Sequence, residues 1–155
     1  MTTTTDRTEA DTVSVDAIID ALYDVISGPP GDRDFDRMRA LFLPGARLIP
    51  SAPLTEHHPG GQPLDCDAFI AEIRPLLQVQ SFYEAEIARR TERFGAVVHA
   101  MSTYESRLTP DGAPVIRGVN SIQLLHKDGR WWVVTILWDE ESEQQPIPAR
   151  YLPPA

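Results

Sequence analysis

Hydrophobic and polar residues alternate over residues 97–141 in a pattern that predicts three consecutive β-strands. Two Asp-Gly pairs, Asp111-Gly112 and Asp128-Gly129, interrupt the alternation. An Asp-Gly pair between alternating apolar residues is the strongest short-range indication of a two-residue hairpin turn. The sequence therefore predicts an antiparallel meander. Counting outward from two such turns pairs Tyr104 with Val119, Ile122 with Thr135, Asn120 with Leu137 and Val119 with Trp138.

These pairings sort the side chains of the meander onto two faces, because successive residues of a strand point in opposite directions. Neither face is polar enough to be left in water, so we expect helices to cover one face and a second copy of the chain to cover the other. A longer loop at either turn would exchange the two faces. The first face holds His99, Met101, Thr103, Glu105, Asn120, Ile122, Leu124, Trp131, Val133, Thr135 and Leu137. The second face, the expected homodimer interface, holds Tyr104, Trp132, Val134, Ile136 and Trp138 among others.

Helical periodicity precedes the meander. An apolar stripe follows Ser14, a good N-cap residue, and ends before Gly28-Pro29-Pro30, so it predicts one amphipathic helix. Asp34 and Asp65 are positioned to cap two further helices, and Pro75 bends or ends the last of them. Helices followed by an antiparallel meander indicate an α+β fold in which the helices pack on one face of a bent sheet.

The remaining segments are less regular. Residues 47–49 predict a short strand, and the Pro and Gly content of residues 50–63 predicts a loop. Residues 82–94 fit a helix by propensity and a strand by alternation. We therefore expect a disordered lead over residues 1–12, a single domain over residues 13–141, and an extended, Pro-rich arm over residues 142–155.

Composition narrows the class of protein. The chain has 155 residues, a size typical of one domain, and 42% of them are hydrophobic. The net charge of -9 argues against nucleic acid or an anionic membrane as a partner, since both attract clustered Lys and Arg. Cys66 is alone and cannot form an internal disulfide, which fits a cytoplasmic protein. No cofactor-binding motif is present, and we expect no cofactor.

Several short phrases carry a resemblance to a known superfamily. They are LFLPGAR from Leu41, STYES from Ser102, GVNSIQL from Gly118, WWVV from Trp131 and IPARYL from Ile147. Together with the order of helices and strands, they resemble a bacterial branch of the nuclear transport factor 2-like superfamily, which includes SnoaL-like polyketide cyclases and ketosteroid isomerase.

The resemblance implies a strongly curved, cone-shaped sheet that wraps around a pocket, with three N-terminal helices on its concave side. It also implies that residues 82–94 form a strand, and that two copies associate through the outer faces of their sheets. It does not imply one reaction, because this fold hosts isomerases, dehydratases, cyclases and proteins without activity.

Asn120 is the sharpest candidate for ligand binding, because it lies between apolar residues on the central strand of the meander. A buried amide needs hydrogen-bond partners and can orient a ligand carbonyl or hydroxyl group. The alternative is a structural hydrogen bond to a helix or loop. We expect four other residues to line the pocket with it: Tyr23, Met101, Thr103 and Leu137.

Glu105 is the candidate catalytic carboxylate, because apolar surroundings would raise its pKa towards a value useful for proton abstraction. A salt bridge to Arg107 or Arg117 is the alternative. His57 and His58, in the loop, are the other candidate bases, although they could equally be exposed. A metal site is disfavoured, because no further His or Cys cluster completes a ligand set.

The sequence therefore leaves two functions open. The first is binding of a small apolar or aromatic metabolite in the cone. The second is cofactor-free isomerase, dehydratase or polyketide-cyclase chemistry with a pocket carboxylate or His as general base. An ionisable group with a perturbed pKa inside the cavity would favour the second.

Overall fold

The structure, a computed structural model, describes residues 2–155, in which α-helices pack against a single five-stranded sheet. This arrangement is the predicted α+β class. The helices are α1 (Thr4–Thr12), α2 (Val15–Ile26), α3 (Phe35–Arg39) and α4 (Cys66–Val79), and the arm contains a short 3₁₀ helix (Ala149–Tyr151). The strands are β1 (Phe42–Pro50), β2 (Tyr83–Phe94), β3 (Val97–Arg107), β4 (Ile116–Lys127) and β5 (Arg130–Glu140).

The sheet has the order β1-β5-β4-β3-β2, with β1 parallel to β5 and every other pair antiparallel. Its register shifts within three of the strand pairs: β1 with β5, β2 with β3, and β4 with β5. Irregularities of this kind bend a strand and increase its twist. They account for the curvature that lets one face of the sheet enclose space beneath the helices.

The two predicted turns differ in outcome. Asp128 and Gly129 form a two-residue turn, and both have a positive φ, of 54° and 76° respectively. This prediction is confirmed. The prediction of a two-residue turn at Asp111-Gly112 was wrong, because this pair lies inside a longer connection between Arg107 and Ile116. The pairing between β3 and β4 is consequently displaced by one residue, so that Tyr104 lies opposite Gly118 instead of Val119.

A second displacement occurs in β5. Near the turn, Leu125 lies opposite Trp132 as predicted, but the register shifts between Gln123 and Leu124, and Ile122 then lies opposite Ile136. A shift of one residue moves a strand's side chains to the opposite face. The inner face, which points towards the helices, therefore holds Ala100, Ser102, Tyr104, Ser106, Asn120, Ile122, Ile136 and Trp138. The outer face holds Met101, Thr103, Glu105, Val119, Ser121, Trp132 and Leu137.

The chain ends also differ from expectation. The sequence predicted disorder over residues 1–12, but residues 4–12 form α1. Thr3 and Asp6 cap this helix by reciprocal hydrogen bonds. The C-terminal arm crosses the outer face of the sheet, where Ile147 is buried and the carbonyl of Tyr151 accepts a hydrogen bond from Thr103. Within the described chain, no helix combines the length and apolar character needed to cross a membrane.

Candidate functional site

A cavity of about 320 Å³ lies between the inner face of the sheet and helices α2 and α4. Its wall is mostly aliphatic and aromatic, as expected for a pocket that receives a small organic molecule. The apolar lining residues are Leu22, Ile26, Met38, Phe42, Leu48, Leu54, Phe69, Ile73, Leu76, Leu77, Phe82, Ile116, Ile122, Ile136 and Trp138.

A chain of hydrogen bonds crosses one wall of this cavity. The Ser102 hydroxyl donates to the Glu86 carboxylate, so its oxygen is left to accept from the Tyr23 hydroxyl at 2.6 Å. Tyr23 therefore accepts in turn from Nδ2 of Asn120 at 3.0 Å. Glu86 is held at the far end by two guanidinium nitrogens of Arg89. The chain has one direction, from Asn120 to Glu86.

This direction fixes the orientation of the Asn120 amide. Because Nδ2 donates to Tyr23, the carbonyl oxygen Oδ1 is the remaining free group, and no group within residues 2–155 donates to it. The structure thus places two predicted residues, Asn120 and Tyr23, on the cavity wall and joins them directly. Burial raises the pKa of Tyr23 well above its usual range, so the phenol stays protonated and remains a donor to Ser102.

Glu84, on β2, is the carboxylate that enters the cavity. Oγ of Ser106 donates to it at 3.2 Å, and no cation pairs with it in the described chain. Burial raises its pKa from 4.5 to about 7, and the negative charge of Glu140 acts in the same direction. Glu140, which also lines the cavity, has its own pKa raised by burial and by Asp139.

Tyr104 lies between these two carboxylates. It is 4% exposed and lines the cavity, and within the described chain its hydroxyl has no hydrogen-bond partner. Its pKa is raised by burial and by the charges of Glu84 and Glu140. The ring lies over Gly118, where a Cβ atom would come within 2.6 Å of Cζ. The absence of a side chain at residue 118 therefore makes room for the phenol.

Four predicted site residues lie on the wrong side of the sheet. Glu105 is on the outer face, 2.5 Å from Arg107 and 3.9 Å from Arg117, so the salt-bridge alternative describes it. Thr103 is also on the outer face, where it binds the arm. Met101 and Leu137 share that face. The cause is the displaced register of β3 and the shifted register of β5.

The same displacement corrects the expected dimer surface. Tyr104, Ile136 and Trp138 line the cavity instead of facing outward. Of the other two residues of the predicted interface set, Trp132 lies on the outer face, and Val134 is the unpaired residue at the bulge in β5.

The two loop histidines lie outside the cavity. The His57 side chain is 77% exposed, and its Nε2 lies 3.2 Å from the Glu56 carboxylate. His58 is buried, but its ring is used within the loop: Nδ1 accepts from the backbone of Gly60 and Nε2 bonds the Gln62 carbonyl. Neither residue lines the cavity. Across residues 2–155, no group of three or more His, Cys, Asp or Glu side chains is arranged to hold a metal.

Comparison with solved structures identifies the fold. A protein from Thiobacillus denitrificans, assigned to the association domain of calcium/calmodulin-dependent protein kinase type II, is similar with a TM-score of 0.65 and 18% identity, over 83% of this chain and 96% of that one. A protein of unknown function with a cystatin-like fold from Nostoc punctiforme has a TM-score of 0.64 and 10% identity, over 91% and 95% of the two chains. An NTF2-like protein of unknown function from Pseudomonas putida has a TM-score of 0.62 and 13% identity, over 94% of each chain.

These similarities confirm the nuclear transport factor 2-like, or cystatin-like, fold that the sequence predicted. No protein-family model matches the chain, and a search of curated proteins gave no match. At 10–18% identity the neighbours show a shared fold alone. Any function must be argued from the cavity.

Proposed function

We propose that the protein binds a small, mainly apolar molecule in the cavity, and that this molecule donates a hydrogen bond to Oδ1 of Asn120. The observation that carries the proposal is a fixed amide acceptor on a wall that is mostly apolar. Apolar walls with a few oriented polar groups are the usual architecture of small-molecule sites, and about 320 Å³ is within their range.

The hydrogen-bond chain supports a binding role for Asn120. An amide held only for structure would use both its donor and its acceptor on protein groups. Here only the Tyr23 hydroxyl bonds the amide, and it accepts from the nitrogen. Tyr23 is itself held by Ser102, which donates to Glu86, so the orientation of the amide is set before any ligand arrives. Such preorganisation reduces the entropy that a ligand must lose when it binds.

The first test fills the cavity. Ile122 is 1% exposed and lines the cavity, so Ile122→Phe adds volume there, whereas Leu137→Phe makes a similar enlargement on the outer face and serves as a matched control. In a thermal-shift screen against small hydrophobic molecules, we expect ligands of the wild-type protein and of Leu137→Phe to be lost with Ile122→Phe. Equal binding by all three proteins would place the site elsewhere and contradict the proposal.

The second test removes the amide. Asn120→Leu preserves approximate size but deletes the acceptor, and we expect ligands with a hydroxyl or amine to lose about tenfold in affinity, the effect of one hydrogen bond to a polar group. Purely apolar ligands should bind as before. Unchanged affinity for hydroxyl-bearing ligands would reject the role given to Asn120.

A second candidate function is cofactor-free proton transfer, and Glu84 favours it. A carboxylate with a pKa of about 7 inside an apolar cavity has the basicity that a general base needs near neutral pH. Glu84 takes the place that the sequence prediction gave to Glu105. The loop histidines do not line the cavity, so the carboxylate is the base in this version.

Proton transfer can be tested without a known substrate. Incubation of ketones and cyclic enones in D₂O, followed by NMR, would detect exchange of acidic C–H protons catalysed by the protein. We expect Glu84→Gln to abolish such exchange and Glu92→Gln, an exposed carboxylate on the same strand, to retain it. Exchange that persists in Glu84→Gln would exclude Glu84 as the base.

A further inference from the structure

The charges that line the cavity have one sign. Glu84 and Glu140 line it, and none of the Lys, Arg or His residues of the described chain does. Arg89 and Arg33 are engaged elsewhere: Arg89 binds Glu86, and Arg33 binds the backbone carbonyls of Ile26 and Gly28. A ligand with a carboxylate or phosphate would therefore be repelled by these two carboxylates of Glu84 and Glu140 and would meet no positive charge in the cavity.

The polar groups of the cavity also have an unbalanced hydrogen-bonding capacity. Oδ1 of Asn120 and the carboxylates of Glu84 and Glu140 are acceptors, and the Ser106 hydroxyl already donates to Glu84. The free Tyr104 hydroxyl, with 4% of the residue exposed, adds one donor and an accepting oxygen. Gln80 and Ser81, on the connection before β2, also line the cavity. A complementary ligand must bring donors.

Aromatic rings complete the surroundings of these acceptors. Trp138 lies two residues before Glu140 on β5, and its ring meets Phe69 edge to face, with centroids 5.8 Å apart. The Tyr104 and Tyr23 rings are 6.4 Å apart on the same wall. The faces of such rings attract cations, and aromatic walls beside carboxylates are characteristic of sites for organic ammonium groups.

We propose that the ligand is an apolar molecule with a protonated primary amine, whose ammonium group is held by the carboxylate of Glu84 and by Tyr104 or Glu140, beside the aromatic rings. This inference rests on the binding function proposed above and specifies its ligand. It gives Glu84 a different use from proton abstraction, since here the carboxylate remains ionised and holds the ammonium group.

Linkage gives the proposal a characteristic pH dependence. The groups that face Glu84 are Tyr23 from α2, Tyr104 and Ser106 from β3, and Glu140 from β5, and none of them is cationic. An ammonium group would supply the missing positive charge and lower the pKa of Glu84 from about 7. Binding below neutral pH must therefore release a proton, and affinity should rise tenfold per pH unit as pH approaches 7.

The experiment uses three probes with one carbon skeleton: phenylpropylamine, phenylpropanol and phenylpropanoic acid. We expect calorimetric titration at pH 7.5 to give at least tenfold tighter binding of the amine than of the alcohol, and no binding of the acid. Glu84→Gln should weaken the amine at least tenfold and leave the alcohol unchanged, whereas Glu92→Gln should alter neither. Titration of the wild-type protein with the amine at pH 6 in buffers of different ionisation enthalpy should show proton release.

Each outcome bears on a different statement. If the alcohol and the amine bind equally and no proton is released, the proposal of a positively charged ligand is contradicted, whereas the proposal of binding in the cavity is supported. If none of the three probes binds, both the binding function and this inference are contradicted. If Glu84→Gln fails to fold, two other measurements distinguish the same alternatives: weaker binding of the amine by Glu140→Gln, and proton release by the wild-type protein. A neutral ligand would show neither effect.

Discussion

We expect Glu84 to make the unfolding free energy of the protein depend on pH. Burial raises its pKa from 4.5 to about 7, so the folded state binds this proton more tightly than the unfolded state does. The resulting stabilisation is complete below pH 4.5 and is lost as the pH rises through 7. A shift of this size corresponds to at most about 3 kcal/mol of unfolding free energy.

Glu84→Gln is therefore expected to change the pH profile in a defined direction. The amide is neutral at every pH, so the variant gains relative to the wild-type protein between pH 5 and 8, by up to about 3 kcal/mol. Urea denaturation at both pH values measures the difference. Glu92→Gln, at an exposed position of the same strand, should change nothing. Parallel profiles for Glu84→Gln and the wild-type protein would show that this carboxyl titrates normally.

Gly118 is a second residue with a specific mechanical role. An added Cβ would lie 2.6 Å from the backbone oxygen of Asp139 and equally close to the Tyr104 ring, and the backbone cannot easily move. We expect Gly118→Ala to destabilise the protein by about 1–3 kcal/mol, the usual cost of overpacking. In a Tyr104→Ala background the penalty should be smaller, because one of the two clashes is absent, and a double-mutant cycle measures this coupling. Equal penalties in both backgrounds would contradict the role given to the Tyr104 contact.

At this scale the sequence identified one of the two central polar residues. Asn120 was found because a lone amide between apolar residues on a central strand is unusual. Glu84 was missed because it alternates with Tyr83, Ala85 and Ile87, which would normally place the apolar residues inside and the glutamates in solvent. The structure reverses that arrangement, since Glu84 lines the cavity. Polar residues inside and apolar residues outside violate the local pattern, as functional sites often do.

Among the elements, α1 depends on contacts beyond its own sequence. A nine-residue polar helix is marginal in isolation, even with a capping box. Two parallel hydrogen bonds from Arg37, on α3, hold the carboxylate of Asp11, at 2.8 and 3.0 Å, with both side chains only 12–13% exposed. The long-range ion pair explains why composition alone predicted disorder here.

We expect Arg37→Lys to release α1, because an ammonium group cannot make the two parallel hydrogen bonds. Amide hydrogen exchange over residues 4–12 should accelerate, and the global unfolding free energy should fall by about 1–2 kcal/mol. Arg39→Lys is the matched control, since it removes a guanidinium on the same helix whose ion pairs are largely exposed. Unchanged exchange over residues 4–12 in Arg37→Lys would mean that other contacts hold the helix.

The strands show how far local pattern extends. The Asp128-Gly129 turn fixed the register near Trp131 and Trp132 correctly, because a two-residue turn leaves no freedom in the pairing. The faces of β3 were reversed because the Asp111-Gly112 pair sits in a longer loop, and those of the second half of β5 because a bulge intervenes. Neither loop length nor bulge position has a clear local signal, and each displaces every residue beyond it.

For the molecule as a whole, the question is what covers the apolar outer face of the sheet. The arm covers the part around Thr103 on β3, where Tyr151 accepts its hydrogen bond. The part formed by β5 stays open, with Trp132 partly exposed and Leu137 44% exposed. The expected homodimer must therefore use a smaller apolar surface than the sequence predicted, centred on β5.

We expect a dimer at micromolar concentration in which this part of the outer face is buried against its symmetric copy. A stable interface of this kind buries roughly 800 Å² of accessible surface on each partner. Leu137→Asp places a charge at its centre and should give monomers, as measured by size-exclusion chromatography with light scattering. Val79→Asp, a substitution of an apolar residue that is 79% exposed at the end of α4, on the opposite side of the sheet, should remain dimeric. A wild-type monomer, or dimers of Leu137→Asp, would show that this surface is not an interface between copies.

Because Leu137 faces away from the cavity, ligand binding by the Leu137→Asp monomer would show whether each subunit contains a complete site.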